Sequence, residues 1–252
     1  MIRALCLLLL WAGPVLAQED IVADLSQKQV AITTTFTGSE ILIFGAVRRG
    51  GLVDVTFPLE AVVTVSGPSE PVTVRRKDRV AGIWVNMAEV EVDAAPSFYA
   101  IASSAPLFDV LSHTEDLRHG ISKARAIRLV GAAGQVDNPT DFREALIRIR
   151  QSEGTYNRDE SGVTVLEETL LRASVGLPAN LVEGDYAVRI FLTRNREVVS
   201  TFETTIAVEK VGLERFLYNL AHDRPLVYGI MSLVIAIAAG WLASAAFRLV
   251  RS

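Results

Sequence analysis

Residues 225–247, PLVYGIMSLVIAIAAGWLASAAF, run for 23 positions without a charged side chain. As a helix rising 1.5 Å per residue the run is about 34 Å long, enough to cross a hydrocarbon core of about 30 Å with some tilt. In lipid every backbone N–H and C=O must be paired within the segment, so a helix is the only single-segment solution. Tyr228 lies toward one end and Trp241 and Phe247 toward the other, where aromatic belts form. Arg248 and Arg251 follow directly and are expected on the cytoplasmic side. Within the run Ser232, Ala236, Gly240 and Ser244 recur every four residues. Two readings of that stripe stand: a helix-packing face that lets two backbones approach closely, or the chance pattern of an alanine-rich span.

The other end reads as a leader. Met1-Ile2-Arg3 precedes an apolar stretch from Ala4 to Ala12, Pro14 breaks it, and Val15-Leu16-Ala17 supplies small residues for cleavage. The pattern predicts a signal peptide over residues 1–17 and an exported chain from Gln18. Export together with the trailing arginines predicts a periplasmic N-terminal domain, one span and a cytoplasmic tail at 248–252. The single cysteine, Cys6, falls inside the leader. The exported part therefore has no thiol for disulfides, nucleophilic catalysis or metal ligation. The formal charge is −4, and three arginines, Arg3, Arg248 and Arg251, lie at the ends, so the part between is more acidic still. Such a surface is a poor match for the phosphate backbone, and no nucleic-acid partner is expected.

Between the ends the chain reads β, then α, then β. Short runs such as EILIFGAV, AVVTVSG, PVTVRR and EVEVDA are rich in β-branched residues and separated by Gly38-Ser39, Gly50-Gly51 and Gly67-Pro68, with Lys77-Asp78 as a further turn. The predicted fold class is mainly β with a helical insert: an Ig-like antiparallel sandwich over 18–104, a helical insert and loop over 105–161, and a second β unit over 162–210. Whether the last strands complete the first sandwich or begin another is open at this stage. In the insert, Asn138 and Pro139 start a helix whose Phe142, Leu146 and Ile149 make an apolar stripe. Residues 211–224 predict an amphipathic helix with Leu213, Phe216, Leu217 and Leu220 on one face, lying on the outer leaflet or packed beneath the sandwich.

Chemistry is sparse. Residues 72–86, VTVRRKDRVAGIWVN, crowd Arg75, Arg76, Lys77 and Arg79 around the predicted Lys77-Asp78 turn, followed by Trp84 in what reads as a buried position. Arg48-Arg49 ends another strand. If Pro58 only kinks one long strand, both basic tips share one end of the sandwich; if 57–60 is a true turn, they separate. The cations are either a solvated tip that discourages edge pairing or a surface for an anion, headgroup or small oxyanion. His113 and His119 are six residues apart, roughly 120° around a helix, whereas helical zinc motifs use i, i+4. No nucleophile elbow, zincin motif or phosphate-cradling loop occurs, and the carboxylate pairs Asp159-Glu160 and Glu167-Glu168 are adjacent residues whose side chains point apart. The expectation is no catalytic, metal or cofactor site, and no enzyme.

At VRRKDRVAGIWVN, PSFYAIAS, LPANLVEGDYAVRIFL and YGIMSLVIAIAAGWLASAAFR the chain resembles a family of alphaproteobacterial single-span transmembrane proteins. The resemblance covers nearly all of the exported chain. It implies the bacterial inner membrane, an exported β-rich domain and an accessory role beside an exporter of small anions; it brings no catalytic residues. The function expected is therefore an inner-membrane-anchored periplasmic accessory or interaction protein whose partner is a membrane transporter or a second copy. The alternatives are a periplasmic ligand-binding or sensor module, with the helical insert as a lid, and a tethered periplasmic enzyme.

Overall fold

Strands and one long apolar helix dominate the structure, a computed structural model that describes residues 19–51, 56–131, 136 and 138–250, with backbone alone at 213–216, 219 and 245–250. The leader expected over 1–17 lies outside the described residues, as do 52–55 of the run LVDVTF and the last two residues of the tail. Pro58 immediately precedes the strand that starts at Leu59.

In chain order the strands are β1 (Glu19–Leu25), β2 (Gln29–Ile32), β3 (Ser39–Arg49), β4 (Leu59–Ser66), β5 (Ser69–Val80), β6 (Ile83–Pro96) and β7 (Tyr99–Ser103). After α1 (Leu107–Val110), α2 (His113–His119), α3 (Lys123–Ala126) and α4 (Pro139–Ser152) come β8 (Tyr156–Asp159), β9 (Val163–Leu166), β10 (Leu170–Leu177), β11 (Gly184–Arg194) and β12 (Glu197–Lys210). The chain continues into α5 (Leu213–Asp223) and α6 (Pro225–Val250).

One sheet has the order β1-β3-β10-β9, a second the order β2-β12-β11-β4-β7-β8, and β5-β6 form a separate two-stranded ribbon. Pairing in the first sheet is antiparallel; in the second, β7 and β8 run parallel. The late strands take interior places: β10 lies between β3 and β9, and β11 between β4 and β12. The choice left open by the sequence is thus decided by pairing, and β9 to β12 complete one sandwich with the early strands.

The sheets meet through alternating residues. Ile41 and Ile43 on β3, paired with Val175 and Ala173 on β10, are buried. On β4 both alternate sets are buried, Val63 and Val65 as well as Val62. Val62 belongs to a second apolar cluster with Ile101 and Phe191, against which Val74, Val90 and Val92 of the ribbon and Leu107, Leu111 and Phe142 of the insert pack. A strand buried on both faces reads as a continuous apolar run rather than an alternation, and that is what AVVTV shows. The result is three layers: sheet, sheet, and a cover of ribbon and helices.

The insert and the ribbon turn differ in how local signals fared. The helical stretch SAPLFDVLSHTEDLRHGISKARAIRLV is divided into three short helices. Ser112 caps α2 by accepting from Glu115 N at 3.3 Å, and Gly120 ends it in the left-handed conformation with φ 61° and ψ 49°. The ribbon turn is not Lys77-Asp78, which lies within β5, but Ala81-Gly82, with φ of 49° and 89°. A two-residue hairpin loop whose twist matches its strands needs positive φ at both positions, and Gly82 supplies it without strain.

The described residues divide into two compact units: one holds those up to Val30 together with Thr37–Val208, the other Ala31–Phe36 and the chain from Glu209 onward. In the second, Val211 N donates to Ile32 O at 2.9 Å, and α5 gives way to α6 at Arg224-Pro225, where proline has no N–H to continue the earlier helix. Residues 225–244 of α6 are long and apolar enough to cross a membrane.

Candidate functional site

The ribbon has a dry half and an exposed half. Val74 opposite Val90 and Val72 opposite Val92 turn toward the insert, and Val74, Val90 and Val92 are buried. Beyond Arg75 and Glu89, whose side chains pair at 3.0 Å, the strands leave that cover. The register shifts between Arg76 and Lys77, leaving Met87 of β6 without an opposite residue in β5. Past the bulge, Lys77 faces Asn86 and Arg79 faces Trp84 on one side, while Asp78 faces Val85 and Val80 faces Ile83 on the other. Trp84, expected to be buried, is 69% exposed, and Ile83 is 66% exposed. The reason is that among the described residues no helix or sheet covers this end of the ribbon. Val80, Val85 and Met87 are exposed as well.

The cations of the ribbon differ in their partners. Arg75 pairs with Glu89, and Arg76 lies 3.7 Å from Asp78. Arg79 donates to Gly82 O at 3.3 Å. Among the described residues, Lys77 and Arg79 have no carboxylate within ion-pair distance. Between β5 and α4 lies a cleft of about 470 Å³. Arg76 reaches over its wall with the guanidinium 5.8 Å from the Phe142 ring centre, and Lys77, Arg148 and Glu144 also line it. Phe142 and Leu146 bury one face of α4; Ile149, expected to extend that stripe, is 46% exposed and lines the cleft instead.

Arg48 and Arg49 are held elsewhere. Arg48 meets its cross-strand partner Asp20 at 2.6 Å. Arg49 meets Glu19 at 3.3 Å and Glu168 at 2.9 Å. Both carboxylates are shared with Arg194, which binds Glu19 through two nitrogens at 2.9 and 3.2 Å, Glu168 at 3.3 Å, and Phe57 O. Arg194 is 8% exposed and Glu19 4%. The hydrogen bonds that Arg194 donates to Glu19 raise its already high pKa further. Two guanidinium groups and two carboxylates thus neutralise one another at the β3–β4 end, and no contact among the described residues joins them to the ribbon cations. Sequence reasoning missed Glu19, Glu168 and Arg194, because no local signal links residues 175 positions apart.

The histidines go to different neighbours. The His113 ring lies tilted against Phe108, 4.7 Å between centres, whereas His119 Nε2 is 3.3 Å from Glu115 and its ring 5.5 Å from Phe191. Among the described residues no group of three or more His, Cys, Asp or Glu side chains is arranged to hold a metal. The buried phenols are hydrogen-bonded to backbone: Tyr99 to Ile121 O at 2.7 Å, Tyr156 to Pro96 O at 2.8 Å and Tyr186 to Val182 O at 2.8 Å. Burial raises all three pKa values, that of Tyr99 to about 12. These groups lock the sandwich to its loops rather than open onto the cleft. On α6, Ser232, Ala236, Gly240 and Ser244 are exposed along the chain's own surface, and the Ser232 hydroxyl donates to Tyr228 O at 2.8 Å.

No curated protein matches this sequence. Among solved structures the chain is similar to Spo0M, the sporulation control protein from Bacillus subtilis, at 8% identity and a TM-score of 0.28, over 82% of this chain and 55% of that one. The chain therefore spans about half the length of that structure, and a likeness at this score carries no argument. A family model described as "Putative transmembrane protein (Alph_Pro_TM)" matches residues 20–249. That range takes in the sandwich, the ribbon and the apolar helix, and the chain belongs to this family of transmembrane proteins.

Proposed function

We propose that the chain is a non-enzymatic accessory protein of the bacterial inner membrane that docks a partner through the cleft between β5 and α4. The partner is a membrane transporter of small anions, with the sandwich on the periplasmic side and the C-terminus in the cytoplasm. The observation that carries the reading is the cleft itself, where Arg76 lies over Phe142 and Arg75, Lys77 and Arg148 join the lining, outnumbering Asp141 and Glu144. Cations over an aromatic wall suit an acidic segment, since arginine both stacks and pairs with carboxylates. The leader-like N-terminus and the arginines after the apolar run support the orientation.

An immunoglobulin-like reading of the sandwich rests on strand order. The orders β1-β3-β10-β9 and β2-β12-β11-β4-β7 correspond to A-B-E-D and A′-G-F-C-C′. Tyr186, near the start of β11, donates back to Val182 O as a tyrosine corner does. In this reading the ribbon and the helices are insertions in a partner-binding scaffold.

The test is co-purification of the full chain from solubilised membranes. The expected result is a membrane transporter that stays bound to the parent chain and is lost with Arg76→Ser and Arg148→Ser together. Retention by the double variant would remove the cleft from the interface. A second reading, capture of a small oxyanion, is favoured by the cleft volume, which lies in the range of small-ligand sites. It predicts a rise in unfolding temperature with sulfate that the same double variant abolishes.

A further inference from the structure

The tip of the ribbon carries a second assignment, which shares Lys77 with the cleft lining and otherwise rests on residues outside it. We infer that residues Val80–Met87, with Lys77 and Arg79, form a bilayer-interface anchor whose side chains enter the headgroup region of an anionic membrane.

Three observations carry it. The tip exposes a cluster of large apolar side chains: Val80, Ile83 and Val85 share one face with Asp78, whose carboxylate lies 3.7 Å from Arg76, and Trp84 occupies the other with Asn86, Lys77 and Arg79. An exposed cluster of this kind is costly in water unless it meets an apolar surface. Trp84 is flanked by the two ribbon cations that have no carboxylate within ion-pair distance among the described residues, Lys77 on its own face and Arg79 directly opposite it. Tryptophan beside unpaired basic residues is the composition of the membrane–water boundary, where the indole sits among headgroups and the cations meet lipid phosphate. Finally, the chain carries its own membrane helix, so a bilayer accompanies every copy.

Size decides between a bilayer and a protein. A stable protein interface buries about 800 Å² on each partner. A ribbon two strands wide ending in a two-residue turn presents a tip rather than a face. Insertion into an interface needs only a few side chains, and tethering supplies the effective concentration that a small contact lacks. The open space around Gly82, where an added Cβ would meet nothing within 4 Å, fits a turn that leads into solvent or lipid.

Fluorescence of the full chain tests the assignment. The sequence has three tryptophans, so Trp11→Phe with Trp241→Phe leaves Trp84 as the sole emitter. The protein is reconstituted into vesicles of phosphatidylethanolamine and phosphatidylglycerol with brominated acyl chains, and into unbrominated controls. The expected result is a blue-shifted emission that bromine quenches. Replacing Lys77 and Arg79 by Ser lowers partitioning of the tip roughly 30-fold, from about 1 kcal/mol per basic residue near an anionic surface, and removes most of the quenching. Both positions are exposed, and circular dichroism checks that the sandwich is intact. A water-like, unquenched Trp84 overturns the proposal and leaves a solvated tip. A blue-shifted but unquenched Trp84 overturns it in favour of a protein cover, a second copy if the shift fades as protein is diluted in lipid. Quenching indifferent to the Lys77 and Arg79 changes overturns the headgroup assignment. Loss of the co-purifying transporter leaves every one of these readouts in place, so the two ideas fail separately.

Discussion

Arg194 is the residue through which the two ends of the sandwich chain are held together. Its guanidinium meets Glu19 through two nitrogens and Glu168 through one, with almost no water access. Without Arg194 the buried Glu19 keeps only Arg49 at 3.3 Å, and losing a partner of a buried charge costs up to about 3–5 kcal/mol. Arg194→Ala should therefore lower the unfolding temperature in detergent steeply. Arg194→Met with Glu19→Leu should recover much of the loss, because no charge then stays buried alone. Arg48→Ser should do little, since the Arg48–Asp20 pair is exposed and such pairs contribute about 1 kcal/mol or less. Tyr99 sets an alkaline limit. Burial raises its folded-state pKa to about 12, against about 10 in an unfolded chain. Below pH 10 the phenol is neutral in both states and the stabilisation is complete. Between pH 10 and 12 the unfolded chain ionises first and stability falls, by about 2–3 kcal/mol in all. Tyr99→Phe should flatten that limb in denaturant titrations across the window, while costing about 1 kcal/mol at neutral pH through loss of the bond to Ile121 O.

At the scale of elements, the ribbon and the late strands behave differently. Ala81 holds φ 49° without a glycine's freedom, a conformation costing about 1 kcal/mol that Asn tolerates better. Ala81→Asn should slow amide exchange along β5 and β6, whereas Gly82→Val should speed it although the site is roomy, because the strain lies in the backbone. Strands β10 and β11 cannot be spared. A chain ending at residue 161 lacks the partner of β3 and the neighbour of β4. It should show no cooperative unfolding transition, and a β-rich transition from it would refute the single sandwich. The elements themselves were largely legible as local runs, and the bulge and the true turn were not. Lys77-Asp78 looks like turn chemistry, but turn position follows from the register of the whole ribbon, set by Val74 and Val90 packing under the insert.

For the whole molecule the apolar helix dominates. At 26 residues α6 is about 39 Å long, beyond the thickness of a hydrocarbon core. Carbonate washing should leave the chain in the membrane pellet, and deletion of residues 225–252 should release it. If Ser232, Ala236, Gly240 and Ser244 form a packing face, Gly240→Leu should abolish self-association in a membrane two-hybrid assay, since a branched side chain keeps backbones apart.

The membrane helix, the strand-rich body and the basic cluster could be read from the chain because each depends on neighbours in sequence: hydropathy over about 20 residues, alternation over a few, and charges side by side. Which strands pair, which cations are neutralised and which apolar residues stay in contact with water depend on residues brought together from far along the chain. Glu19 finds Arg194, β3 finds β10, and Trp84 stays largely exposed among the described residues. Those outcomes belong to the packing of the layers, where burial and pairing are settled between segments and no single stretch of sequence carries the answer.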